Sequence, residues 1–281
     1  MLKFPYIAPR GAGRSVKMKN KFWRRISQLF FVSFIAVAGI RHQIVGGGPK
    51  GAPPIDSYCV FGGVETLYSW IHNGEFLMKT NASNLILLFA ILMVTILAGA
   101  VFCGWICPLG AIQEWLNIIG QRFFNRRLKI PKGLDIALRS LKYILLSSIL
   151  IITIQTGRLW FEGYDPFKVF FHFKFDTAAY IILITFSILA ILIERFWCKY
   201  LCPLGAIIFP LSYFGLINLN QSKENCNDCG LCNHACSMDL QPSQSLPNKS
   251  ITNAECIKCL DCMESCNQPD GLYLTLGKEN R

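Results

Sequence analysis

Eight of the thirteen cysteines fall in two runs near the C-terminus, Cys226-x2-Cys229-x2-Cys232-x3-Cys236 and Cys256-x2-Cys259-x2-Cys262-x3-Cys266. Three thiolates at that step in a tight turn can meet three corners of one cubane cluster, and the fourth ligand comes from the partner run. On that pattern one [4Fe-4S] cluster takes Cys226, Cys229, Cys232 and Cys266, and the other takes Cys256, Cys259, Cys262 and Cys236. Crossed ligation keeps the clusters close, so the segment reads as a short wire for single electrons. Zinc sites use separated Cys-x2-Cys knuckles, and a disulfide framework needs an oxidising compartment. Both fit this spacing less well. Such runs commonly continue Cys-Pro; here Ser237 and Asn267 follow, which removes no ligand.

A second set of thiols lies in an internal repeat. Cys103-Gly-Trp-Ile-Cys107-Pro-Leu-Gly-Ala-Ile recurs as Cys198-Lys-Tyr-Leu-Cys202-Pro-Leu-Gly-Ala-Ile, 95 residues later. Each copy ends a long apolar stretch. Cysteines at i and i+4 share a helical face, and two copies related by a pseudo-two-fold axis bring Cys103, Cys107, Cys198 and Cys202 together. Four thiols suit an iron–sulfur centre or a soft metal such as copper(I). A dithiol–disulfide pair in each motif and buried helix stops stay open beside them. Pro108 and Pro203 break the helix there, and Leu109–Phe124 and Leu204–Leu219 read as short helices at the inner surface.

Composition says what must position these thiols. The chain has 281 residues, 52% of them hydrophobic, with a formal charge of +11, which is too apolar for an ordinary soluble domain of this length. Four stretches, about Ile26–Ile44, Asn84–Ile106, Ala137–Thr156 and Ala178–Trp197, each approach the length a helix needs to cross hydrocarbon. The third carries Arg139 and Lys142 in its first turns, which are expected to snorkel to the interface. Residues 1–25 hold eight Lys and Arg and no acid, and five more bases follow the second span, whereas the other two connections are balanced. The positive-inside rule then gives four crossings with both termini cytoplasmic. Basic loops also attract anionic lipid, so the charge does not argue for nucleic acid.

The expected architecture is mainly α: an integral membrane bundle of four transmembrane helices built as two repeated hairpins, then a small α+β 2[4Fe-4S] ferredoxin-like domain. The divisions are 1–25, a basic cytoplasmic N-terminus; 26–219, the membrane domain; and 220–281, the cytoplasmic ferredoxin domain. On the outer side, Gly46–Pro54 reads as a loop and Val64–Ile71 as a short interfacial helix. Trp160–Phe167 looks like a degenerate counterpart. Cys59 reads as a lone outer thiol of structural or incidental role. No His is expected well inside a span and no Cys-x-x-Cys-His is present, which disfavours haem. Gly46–Gly48 lacks the context of a nucleotide fingerprint. His42, His72 and His172 fall outside, where His42 or His172 could meet a quinone headgroup.

The order of basic N-terminus, four spans, paired Cys-x3-Cys-Pro motifs and 2[4Fe-4S] tail resembles the NapH-type membrane polyferredoxins, with the same core as NosR and CcoG. That resemblance covers roughly residues 20–275. It implies a quinol-dehydrogenase-like subunit of the inner membrane, taking electrons from quinol or a cytoplasmic donor to an extracytoplasmic redox partner. The chain lacks the large flavin-binding domain of NosR, so a flavin- or iron–sulfur-containing partner subunit would supply it. A copper-reducing assembly factor and an iron–sulfur redox sensor are the alternative readings.

Overall fold

The computed structural model describes residues 13–46, 55–73, 82–124, 130–156, 161, 164–172, 177–222, 225–245, 254–268 and 271–276. The far N-terminus, most of the Gly46–Pro54 loop, the bases at 126, 127 and 129, and Trp160 lie outside these residues. Of His72 and His172 only the backbone is described.

The first repeat comprises α1 (Gly13–Val45), α2 (Val60–Asn73), α3 (Ala82–Ala98), α4 (Val101–Trp105) and α5 (Pro108–Phe124). The second comprises α6 (Lys132–Thr156), α7 (Pro166–His172), α8 (Thr177–Leu192), a π-helical turn at Trp197–Leu201 and α9 (Pro203–Ser212). The repeats interlock reciprocally. Helix α5 packs on α1 and on α8 of the other repeat, while α9 packs on α6 and on α3. Likewise α2 rests on α3 and α6, and α7 on α8 and α1. Each contact has its pseudo-two-fold counterpart, which follows from duplication of one unit whose apolar faces bury each other.

Among the described residues two helices, Asn20–Val45 and Gly133–Thr156, are long and apolar enough to cross a membrane. Only 17% of each apolar window is buried, so these are not core helices of a water-soluble fold. Their outward residues, among them Phe30, Phe34, Val37, Ile144 and Ile151, are exposed apolar side chains. The other two expected spans are shorter apolar helices, α3 and α8. The first is interrupted at Gly99 (φ 77°), and after the second Arg195 takes φ 53°.

Three expectations change. Helix α9 stops at Ser212, with Pro210 inside it, and residues 217–219 are strand instead. Strand β1 (Ile217–Gln221) pairs antiparallel with β2 (Leu272–Leu276), matching Ile217 with Leu276 and Gln221 with Leu272. Arg139 and Lys142 do not reach for headgroups; both pair with Glu255 of the tail, and the Lys142 side chain is fully buried. A buried cation needs a partner, and the tail supplies one at the end of α6. Finally, parts of the supposed outer connections pack into the bundle, at Cys59, Phe61 and Phe161. Phe61 and Phe161 pack with Cys59, Trp197 and Leu204. Cys59 therefore sits against the second Cys-x3-Cys-Pro motif, and its thiol donates to Asp165 at 3.7 Å.

The tail, with short helices α10 (Leu231–Ala235) and α11 (Asp261–Glu264), seats on the motif-bearing end of the bundle. One core holds Leu88, Ile91, Phe102, Cys103, Ile208 and Phe209 of the bundle with Met238 and Ile257 of the tail. Gly104 permits the approach, because a Cβ there would lie 2.5 Å from the Ile257 carbonyl oxygen. Gly104→Ala is expected to lower stability by about 1–3 kcal/mol through overpacking, measured by denaturant unfolding in detergent. The same change at exposed Gly133, where a Cβ meets nothing, should cost nothing.

Candidate iron–sulfur centres

The two tail runs fold alike. Asp228 (φ 50°) and Gly230 (φ 71°) turn the first run, and Lys258 (φ 51°) and Leu260 (φ 65°) turn the second at the same positions. Left-handed residues between successive cysteines turn backbone N–H groups toward one centre, the concave arrangement that favours anionic groups. Leu260 holds without glycine a conformation that costs a β-carbon roughly 1–2 kcal/mol, which marks the turn as required. Helices α10 and α11 then carry Cys232 and Cys262.

The cysteines surround two cavities. Cys226, Cys229, Cys232 and Cys266 line one, and Cys236, Cys256, Cys259 and Cys262 line the other. The fourth cysteine of each run therefore crosses to its neighbour's cavity. Gly271 makes this possible at Cys266, since a Cβ there would come within 2.9 Å of the thiol. The Leu240 N–H donates to Cys236 Sγ at 3.4 Å, and the Gln221 side-chain amide donates to Cys226 Sγ.

Among the described residues no three His, Cys, Asp or Glu side chains converge as they would on a single ion. Four thiols spread around each cavity instead fit the corners of a cluster. Burial pushes the Cys236 thiol up to about 11 and raises Cys259 and Cys262 well above the ordinary thiol range. Thiolates are stable in these apolar pockets only beside a compensating cation, so loading is coupled to proton release. The pockets differ in exposure: Cys229 is exposed, whereas Cys262 is buried.

The paired motifs are not plain helices with cysteines at i and i+4. In each, the second cysteine's N–H reaches back five residues, Cys107 to the Phe102 carbonyl at 2.9 Å and Cys202 to the Trp197 carbonyl at 2.8 Å. Such wide turns recur at functional sites. They let Cys107 and Cys202 sit immediately before Pro108 and Pro203 at the starts of α5 and α9. There the Gly205 N–H donates to Cys202 Sγ at 3.3 Å, and the N–H groups of Leu109 and Gly110 face Cys107. Gln113 donates to Cys198 Sγ at 3.4 Å. Cys107, Cys198 and Cys202 all lie within electrostatic range of Cys103.

Between this thiol set and the tail lies a buried ionic network that sequence reading missed. Glu114 accepts from Arg24 Nη2 at 2.8 Å, Arg195 Nη2 at 2.9 Å and Gln28 Nε2 at 3.2 Å. Arg24 also donates to Asp261 at 3.0 Å, and the Trp105 indole donates to the Lys258 carbonyl at 3.0 Å. The sequence held one usable sign of it, a lone acid on the short helix after the first motif.

Comparison with known proteins agrees with this geometry. The model of a family described as "4Fe-4S binding domain" matches residues 80–131 and 175–218, one segment around each Cys-x3-Cys-Pro motif. The chain is 28% identical to YccM of Escherichia coli, named for electron transport, over 91% of this chain and 76% of that protein. It is 28% identical to the ferredoxin-type protein NapH of Escherichia coli over 92% and 93% of the two chains. With the regulatory protein NosR of Stutzerimonas stutzeri it shares 29% identity over 64% of this chain and a quarter of that one. No solved structure matches. Fold and site together define an iron–sulfur electron-transfer protein. Within that class the chain is similar to the polyferredoxins of the NapH/NosR type.

Proposed function

We propose that the chain is a four-span membrane subunit with both termini in the cytoplasm. It passes electrons through two tail [4Fe-4S] clusters between a quinone or cytoplasmic donor and an extracytoplasmic redox partner, with flavin or further iron–sulfur carried by a partner subunit. The observation that carries this reading is the crossed lining of two cavities by four cysteines each. In it Cys226, Cys229, Cys232 and Cys266 hold the exposed cluster, and Cys236, Cys256, Cys259 and Cys262 hold the membrane-side one. Bound there, the clusters supply one-electron redox capacity. The protein's own contribution is burial, N–H donors aimed at sulfur, and fixed charge.

Cys103, Cys107, Cys198 and Cys202 hold a third iron–sulfur centre in this proposal. Two features support it: a family described as 4Fe-4S binding matches both motif segments, and helix starts and amide donors face the sulfurs. Its place inside the bundle would extend the wire toward the outer face. Anaerobically purified protein should carry about twelve irons per chain, falling to about eight when all four residues are changed to Ser. About eight in both would remove the third centre and leave copper or thiol chemistry at the motifs. A wild-type value well below eight would overturn the electron-wire reading itself.

A further inference from the structure

One residue touches both redox regions. Arg195 is fully buried and lies three residues before Cys198. Its Nη1 donates to the Cys103 carbonyl at 2.8 Å and its Nη2 to Glu114 at 2.9 Å. Nε has no hydrogen-bond partner among the described residues. The partner Glu114 also binds Arg24, which holds Asp261 of the tail beside Cys262, and Gly104, next to Cys103, packs against Ile257 of the tail. Arg195 thus stands between the paired-motif thiols and the membrane-side tail thiols.

The backbone says that the side chain is wanted there. Arg195 adopts φ 53°, a left-handed conformation normally given to glycine. The first repeat opens its corresponding break with Gly99, and Ala100 occupies the position equivalent to Arg195. Duplication alone would have left a small residue in both copies. The asymmetry matches the docking of the tail on the motif-bearing end of the bundle, where Gly104 meets Ile257.

We propose that Arg195 is the positioning cation that couples the two centres, stabilising an added electron on either one. This rests on the cluster reading of the preceding section. An arginine remains protonated throughout, so its charge would be constant whichever centre held the electron, and the two centres, when bound, would supply one-electron exchange. Each centre grows more negative on reduction, and a fixed positive charge lowers the energy of that state at both. Glu114 holds the guanidinium in place, so the site need not reorganise as the electron moves. The cavity of Cys226, Cys229, Cys232 and Cys266 shares no lining residue with the one lined by Cys259, so a cluster there is expected to escape this influence.

The test is a redox titration of the full chain, loaded anaerobically and followed by electron paramagnetic resonance, beside iron content. Wild type is compared with Arg195→Gln, Arg195→Lys and Arg195→Gly; the glycine relieves the left-handed backbone and isolates the charge. Iron should be equal in all four. In the Gln and Gly variants the membrane-side tail cluster and the motif centre should each become about tenfold harder to reduce, 59 mV for one electron. The exposed cluster should keep its potential, and Lys should restore most of both shifts. Unchanged potentials at full iron, a uniform shift of every centre, or Lys behaving as Gln would each overturn the coupling role. So would loss of iron in Gln and Lys alike, which would make Arg195 a fold element. Wild-type iron well below eight would instead sink the cluster reading.

Discussion

Cys266→Ser is expected to remove the four-iron cluster bound by Cys226, Cys229 and Cys232, and to leave intact the one bound by the rest of its own run. The reason is the crossed lining, in which Cys266 faces the cavity of the first run and Cys236 that of the second. A serine hydroxyl is a poor substitute for a thiolate ligand, so each single change should cost about four of the roughly eight irons proposed for the tail. Combination makes the result decisive. Cys226→Ser with Cys266→Ser strikes one cluster and should still cost about four irons, whereas Cys262→Ser with Cys266→Ser strikes both and should cost about eight. Iron and acid-labile sulfide per chain read the outcome. If Cys262 with Cys266 cost only four, ligation would be uncrossed and the tail would be two separate modules.

The grouping of the tail cysteines around two cavities was legible because cluster-type spacing is a local property of the chain. Cys226 to Cys232 and Cys256 to Cys262 lie in two turns whose geometry follows from their own residues, and the sharing of fourth ligands is inherent in that geometry. The repeat was legible for a similar reason, since duplication at a fixed offset leaves identical residues. What could not be read was contact across the chain. Charge counting assigned Arg24 to the basic N-terminus and Arg139 and Lys142 to the interface. Yet Arg24 is buried against Glu114 and Asp261, and the other two hold Glu255. Each pairing joins residues about 90 or more positions apart, which no local pattern records. The same limit explains Cys59. Its place in sequence suggests a surface loop, but α2 folds back and packs it beside Trp197. The wide turns at the motifs escaped because a five-residue step and a four-residue step look alike in sequence until Pro108 and Pro203 force the second cysteine out of the helix.

The largest expected loss of stability is at Glu114. This one carboxylate answers two fully buried guanidiniums, Arg24 and Arg195, and lies 3.5 Å from a third, Arg25. Burial alone would push its carboxyl upward, but Arg195 and Arg24 outweigh that and hold it below the usual glutamate range. Glu114→Gln keeps the shape and removes the charge, leaving Arg195 with no carboxylate partner and Arg24 with only Asp261. Stranding buried charge in this way costs about 3–5 kcal/mol, read as a shift in the denaturant midpoint in detergent. Because its folded value is depressed, Glu114 contributes stability above the ordinary glutamate range. That contribution should fade as acid carries the pH down through the folded value, and the Gln variant should show less of this dependence. Arg24 also holds Asp261, beside the cavity-lining Cys262, so the lost stability should show first as undocking of the tail, with faster proteolysis between α9 and β1. A double-mutant cycle separates stranded charge from general damage. Glu114→Gln and Arg195→Gln remove partners of one pair, so together they should cost less than the sum of the singles by about 0.5–3 kcal/mol. Strict additivity would mean the network is incidental and that apolar packing through Gly104 and Ile257 alone holds the tail to the bundle.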